Sequence, residues 1–231
     1  MASETRDDLR IKVAQCCRML EWMGLIDYSG HVSARLPGTD RILINPRDQS
    51  RVGLRPEHLI EVNLEGKILG GDGKPPNEVF IHTEAYKARP DVRSVAHVHS
   101  PMSVTLSVAG LPFTPVIYHG ALFSQGVPLY NDSRHVNSPE RGAALAKTLG
   151  RCRAAVIRGH GAIVVGDSVE GVFYTAVYME DNATKLYQAS LLGKPIPLPP
   201  HELAEGAETH KQYGKMWSYF LEKTGLSSAR F

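Results

Sequence analysis

Between two prolines, Pro90 and Pro101, the chain runs through an apolar stretch (Val92, Val95, Ala96, Val98) that carries two histidines, His97 and His99. Helical backbone is disfavoured just before a proline, so Pro90 stops a helix that starts near Asn77 and runs to Arg89. Pro101 suits the first turn of another helix, which ends near Gly110. Residues 92–99 therefore read as a buried strand. Side chains alternate along a strand, so His97 and His99 leave it on the same side. Two unpaired imidazoles in apolar surroundings are costly. At a strand end that opens on a cleft, the same pair can chelate one divalent metal. A solvated face is the other reading, and the pair alone does not choose.

The flanking elements set the fold class. Residues 4–23 form an amphipathic helix, with Leu9, Val13, Cys16, Cys17 and Leu20 at helical spacing and Gly24 at the C-terminal cap. Strands follow at 31–35, 41–45, 59–63 and 67–69, separated by turn-formers such as Pro37-Gly38 and the 70–76 stretch. Ser138 caps a helix over 138–149 with Pro139 at its first position. Strands 154–157 and 162–165 flank Arg158-Gly159-His160-Gly161. A long helix covers 168–192 with Asp167 as its cap. The Pro-rich segment 195–200 turns the chain into a final helix over 201–223. Several strands run consecutively before residue 77, which predicts one α/β domain over 1–231 with a mixed or antiparallel sheet. No GxGxxG or GxxxxGK supports a nucleotide cradle.

Composition narrows the function classes. No apolar run in the 231 residues approaches the roughly 20 needed to span a bilayer, so a membrane role is not expected. The N-terminus is charged from Glu4 onward and lacks the apolar core of a signal peptide. Cys16, Cys17 and Cys152 form neither a disulfide framework nor a CxxC knuckle, so free thiols in the cytoplasm are expected. Against 24 Asp+Glu stand 26 Lys+Arg, with no basic stripe, so no nucleic-acid partner is expected. Ten histidines remain to be explained.

His160 sits between two glycines at the tip of a strand-turn-strand unit, where the backbone can approach a neighbour closely. Glu78 lies at the start of the helix that precedes the His97 strand. Glutamate there can simply answer the helix dipole; beside a cation it can ligate or move a proton. His82, one turn on, could orient it.

The order Gly30-His31-Val32-Ser33-Ala34-Arg35, Glu78-x-x-x-His82, His97-Val98-His99-Ser100-Pro101 and Gly159-His160-Gly161 resembles the class II aldolase/adducin family over about residues 8–190. The resemblance implies a three-layer α/β/α single domain with a mainly antiparallel central sheet. It also implies a homotetramer with active sites at subunit interfaces, and a C-terminal helix from about 201 packing on or near the site. It makes His97, His99 and His160 the ligands of one divalent ion (Zn, Mn, Fe or Co), with no organic cofactor, and Glu78 the catalytic carboxylate. Tyr118, in Ile117-Tyr118-His119, matches with a gap a tyrosine contributed by the neighbouring subunit. Three neutral imidazoles leave the ion its charge and open positions, as Lewis-acid stabilisation of a developing carbanion requires.

The chain departs from the family's sugar-phosphate pattern at three places: His31 for asparagine, Ile44-Asn45-Pro46-Arg47-Asp48 for the second segment, and Pro76-Asn77 before Glu78. An arginine fork and an imidazole suit a planar carboxylate better than a phosphate. The pattern resembles the family's decarboxylase branch. The function expected is therefore metal-dependent decarboxylation of a hydroxylated aromatic or pyridine dicarboxylate. His31, Arg47, Asn77 and Arg158 would bind the small carboxylate substrate, and Glu78 or His119 would protonate the ring carbon. Against this, Arg47 could pair with Asp48 or Glu61, and Arg158 could face solvent. An aldolase acting on a sugar, an iron-dependent oxygenase and a non-catalytic adducin-like module are the alternatives. Trp22, Trp217, Tyr174, Tyr178 and Tyr187 read as packing residues and His201 and His210 as solvated. Nothing in the sequence fixes where His135 reaches.

Overall fold

The structure is a computed structural model that describes residues 4–209 and 213–227. Thr5 starts helix α1 (Arg6–Trp22) through a reciprocal cap: its hydroxyl accepts from the Asp8 N–H, and the Asp8 carboxylate accepts from the Thr5 N–H. Strands β1 (His31–Arg35), β2 (Arg41–Ile44), β3 (Ile60–Asn63) and β4 (Ile68–Gly70) follow, each antiparallel to the next. Helix α2 (Val79–Ala88) then returns the chain to β5 (Ser94–Val98), which pairs with β1 rather than β4. After α3 (Pro101–Val108) and a 3-10 turn (Tyr118–Phe123) come β6 (Leu129–Tyr130), α4 (Pro139–Leu149), β7 (Ala154–Ile157) and β8 (Gly161–Gly166). Helices α5 (Val169–Leu192), α6 (Pro200–Thr209) and α7 (Gly214–Lys223) close the chain. The sheet order is β4-β3-β2-β1-β5-β8-β7-β6, and β6–β7 is its one parallel pair.

Strand periodicity sorts the side chains into two layers of core. Ile44, Val62, Val95 and Ile163 face α2 and α4, where Ile81, Tyr86, Leu145 and Leu149 pack on them. Val32, Leu43, Ala96 and Val98 face α1 and α5, against Val13, Leu20, Phe173 and Met179. The result is a three-layer α/β/α fold with a mainly antiparallel sheet. Among the described residues no helix is long and apolar enough to cross a membrane.

Three elements differ from expectation. Ser168, not Asp167, caps α5: its hydroxyl accepts from the Gly171 N–H at 3.1 Å, three residues on, while Asp167 accepts from Ser168. The final helix is two helices, α6 against the 3-10 turn and α7 against α5, because Trp217 and Phe220 turn inward to meet Phe173. Strand β6 was not expected, since two residues carry no periodicity; it forms only because β7 is there to pair with. Trp217 is buried, whereas Trp22 is half exposed, its ring edge against Phe220 and the Lys223 ammonium over its face. His201 is exposed, and His210 lies outside the described residues.

Candidate active site

On β5, Val95 and His97 point toward α2 while Ala96 and Val98 point toward α5. His97 is fully buried, and its Nδ1–H donates to the Ala162 carbonyl of β8 at 3.1 Å. That bond leaves Nε2 unprotonated and free to accept. His99 stands just past the strand end, its backbone N–H held by the Leu25 carbonyl at 2.7 Å. Its Nε2 lies 3.2 Å from His97 Nε2, and its Nδ1 lies 3.6 Å from Asp27 Oδ1. The β7–β8 turn brings His160 to the same place. Gly159 takes a left-handed φ of +63°, and a Cβ on Gly161 would sit 2.5 Å from the Val98 carbonyl and 3.1 Å from the His97 ring. Ring nitrogens of His97, His99 and His160 all lie within 4.8 Å of one another.

Glu78 occupies the position just before α2 and is buried. Its Oε1 accepts from the Val136 N–H at 2.8 Å. Its Oε2 lies 3.6 Å from His97 Nε2, 3.6 Å from His160 Nε2 and 3.4 Å from His135 Nδ1. Burial by itself would push this carboxyl up. The His160 ring, His97 and the Val136 N–H outweigh burial and hold it well below the ordinary carboxylate range. Burial lowers His97 to about 3, and lowers His99 against the opposing pull of Asp27. The site thus sets an ionised carboxylate beside the neutral rings of His97 and His99. A divalent cation held by the ring nitrogens would supply this buried carboxylate with a counter-charge. The 3.2 Å between the two Nε2 atoms is close to the roughly 3.4 Å between two ligands of a tetrahedral ion at about 2.1 Å. This donor set suits Zn, Mn, Fe or Co.

Behind the cluster, the β1–β5 register sets His31 directly beside His97, their ring centroids 5.0 Å apart. His31 Nδ1 meets His82 Nε2 at 2.6 Å, and His82 Nδ1 meets Ser33 Oγ at 2.7 Å. His82 therefore spends its nitrogens on β1, and the expectation that it orients Glu78 gives way to this pairing. Glu78 lies just before α2, outside its helical backbone, and both ring nitrogens of His82 are engaged by β1.

The arginines sit farther out. Arg47 donates through Nε to Asp48 at 3.0 Å and through Nη1 to the Asn77 side-chain oxygen at 2.8 Å, next to Glu78. Glu61 is held instead by Arg6 and Arg41. Arg158 is exposed, and its Nε donates to Asn131 Oδ1 at 2.7 Å. Tyr118 is half exposed at the start of the 3-10 turn, and the His119 ring stacks flat on Tyr178 of α5 at 4.0 Å. Two site residues were not identified from the sequence. His135 is exposed beside Glu78 and His160, and Asp27 backs His99 while its Oδ1 also accepts from the Ser29 N–H at 2.7 Å. An Asp-x-Ser turn just before Gly30 is a usable sign for the second. Nothing local marks the first, because the β6–β7 pairing brings its loop to α2.

The family described as Class II Aldolase and Adducin N-terminal domain matches residues 11–187. A 3,4-dihydroxyphthalate decarboxylase from Arthrobacter keyseri is 28% identical over 97% of this chain and 96% of its own. Another, from Terrabacter sp. (strain DBF63), is 35% identical over 83% of this chain and 86% of its own. Among solved structures, the L-fuculose 1-phosphate aldolase from Glaciozyma antarctica PI12 superposes with a TM-score of 0.85 at 22% identity, covering 97% of this chain and 94% of that one. The matched span contains every residue of the histidine–glutamate cluster just described, and the chain belongs to the class II aldolase and adducin family.

Proposed function

We propose that the protein is a divalent-metal-dependent carbon–carbon lyase that decarboxylates a hydroxylated aromatic or pyridine dicarboxylate. The observation that carries the lyase reading is the meeting of His97, His99 and His160 beside the buried carboxylate of Glu78. The choice of decarboxylation over aldol cleavage is supported by the two 3,4-dihydroxyphthalate decarboxylases among the relatives.

In this reading His97, His99 and His160 hold the ion through ring nitrogens. Such an ion, when bound, supplies a chelation point for a neighbouring hydroxyl and carboxylate and a sink for the electron pair left when carbon dioxide departs. Glu78 handles the proton. Its Oε1 is fixed by Val136, so Oε2 is the oxygen that faces the reacting group. Ionised at rest, Glu78 takes the hydroxyl proton as the substrate binds. It then returns that proton to the ring carbon from which carbon dioxide has left, and the bond broken and the bond formed balance. Arg47, kept next to Glu78 by Asn77, and Arg158 grip the second carboxylate, and His31 lies beside it. His119 is the other candidate donor, and Tyr118 acts across a subunit boundary in a homotetramer. The enzyme works in the cytoplasm, in keeping with the free thiols of Cys16 and Cys17.

The test is a screen for carbon dioxide release from hydroxylated phthalates and pyridine dicarboxylates, run on chelator-treated protein with and without added Mn(II) or Zn(II). Metal-restored release is expected. Retro-aldol turnover of sugar phosphates without carbon dioxide would replace the decarboxylase with an aldolase. Protein that takes up no metal would leave a binding module.

A further inference from the structure

The buried polar row on the α2 side of β1 has a definite direction. Tyr86 is buried, and burial pushes its phenol up, so it keeps an O–H to donate. Its oxygen meets Ser33 Oγ at 2.9 Å. A buried phenol O–H needs an acceptor, and Ser33 Oγ is the one within hydrogen-bond distance among the described residues, so the phenol donates to Ser33. Ser33 then places its own proton on its remaining side-chain partner, His82 Nδ1, at 2.7 Å. His82, lowered by burial to about 3, is neutral and carries one ring proton. Since Nδ1 accepts, that proton is on Nε2, which donates to His31 Nδ1 at 2.6 Å. With its Nδ1 accepting from His82, the ring proton of His31 lies on Nε2, the ring edge not used by His82. Running the row backward would strand the phenol O–H without an acceptor, and an unpaired buried donor costs more than an ordinary hydrogen bond contributes. It would also leave a bare His31 lone pair among the anionic and lone-pair atoms of Glu78 and His97, which lie within 4.8 Å of a His31 nitrogen.

We infer that Tyr86, Ser33 and His82 form a positioning chain that fixes His31 as an Nε2–H donor at the site, barring it from the metal as a fourth imidazole ligand. The chain explains how a histidine can stand beside His97 without joining it: His97 is set as an acceptor at Nε2 by Ala162, and His31 as a donor at Nε2 by His82. A neutral donor there serves an anionic oxygen, whether that of Glu78 or of a bound substrate. The assignment takes from the proposed function only the ion, and it stands whatever the substrate is.

The full chain labelled with 15N-histidine tests this through long-range proton–nitrogen correlation spectra, recorded without metal and with one equivalent of Zn(II). His31 and His82 are expected as Nε2–H tautomers in both states, with Zn(II) moving the nitrogens of His97, His99 and His160 only. An Nδ1–H tautomer at His31 in metal-free protein, or Zn(II) on its Nε2, overturns the inference. Tyr86→Phe, checked for a retained unfolding transition, is expected to reveal a second His82 tautomer; a single unchanged one removes Tyr86 as the source of direction. His31→Ala is expected to keep Zn(II) affinity within about tenfold of the starting protein, whereas His97→Ala loses more than about a hundredfold. Equal losses overturn the donor assignment. Should Zn(II) not bind while both tautomers are as stated, the chain survives and the metal-dependent lyase does not.

Discussion

Val98 and His97 are neighbours on β5, both fully buried, and they sample two different interiors. On the α5 side the contacts against β5 are apolar. Phe173 meets Trp217 and Phe220 edge to face at 5.8 and 5.2 Å, and the strand residues below are aliphatic. On the α2 side, toward the β1–β5 end, the buried groups are His31, Ser33, Glu78, His82, Tyr86 and His97, each with a hydrogen-bond or charge partner. Apolar burial contributes about 1.5–3 kcal/mol for each large side chain. A satisfied polar contact contributes about 1 kcal/mol and mainly avoids a penalty. The comparison teaches a local division of labour: both faces bury an apolar core, but only the α2 side, at the β1–β5 end, spends buried volume on a row of oriented donors and acceptors.

Substitutions that separate the two faces follow in order of size. His97→Ala should reduce metal-dependent turnover by about a thousandfold or more and abolish tight metal uptake, read by calorimetric titration. Circular dichroism of that variant should stay folded, because the α5 face is untouched; loss of the fold would make the α2 face a principal source of stability. Phe173→Ala is the converse. It should cost about 3–5 kcal/mol in denaturant unfolding, while the folded fraction binds metal as before. A weakened site in that variant would mean that the two faces are coupled. Asp27→Asn tests the support behind His99: metal affinity should fall about 10- to 100-fold with unfolding unchanged, and unaltered affinity would remove Asp27 from the site.

The smallest effect concerns Glu180 of α5, whose carboxylate accepts from the Met102 and Ser103 N–H groups at 2.8 and 3.3 Å and so caps α3 just after His99. Burial pushes this carboxyl up, against those hydrogen bonds. A carboxyl raised on folding binds its proton more tightly in the folded chain. Its contribution is full below the unfolded value near 4.5 and is lost as the pH rises through the folded one. Glu180→Gln should therefore change stability at neutral pH by no more than about 1 kcal/mol. Relative to that variant, the unsubstituted chain should gain as the pH is lowered toward 4. A difference that shrinks on acidification would reverse the sign of the assignment.

Much of this arrangement is legible in the sequence because its signals are local. Ser138-Pro139 marks the start of α4, the prolines at 90 and 101 bracket β5, and runs of alternating or β-branched residues mark β1 to β3. The consecutive strands before residue 77 correctly imply a mixed or antiparallel sheet, and the sheet is mainly antiparallel. Within the site, the spacing of His97 and His99 and the glycines around His160 are visible as chemistry-bearing residues before any coordinates. What escapes is set by pairing at long range. The Asp27 carboxylate faces His99 only once β5 has ended beside Leu25, and His135 reaches Glu78 only through the loop between β6 and α4. His82 shows the limit from the other side. Helical spacing suggests Glu78 as its partner, yet Glu78 lies just before α2 and the β1–β5 register makes His31 and Ser33 the partners of His82.

Gly161 sets the spacing of the histidine cluster. With its missing methyl position only 2.5 Å from the Val98 carbonyl, the tip of the β7–β8 hairpin rests against the end of β5 with no spacer between them. Alanine there would act as a shim. It would press on the rings of His97 and His99 at 3.0–3.1 Å as well as on β5, and so spread the three imidazoles although none of them had been altered.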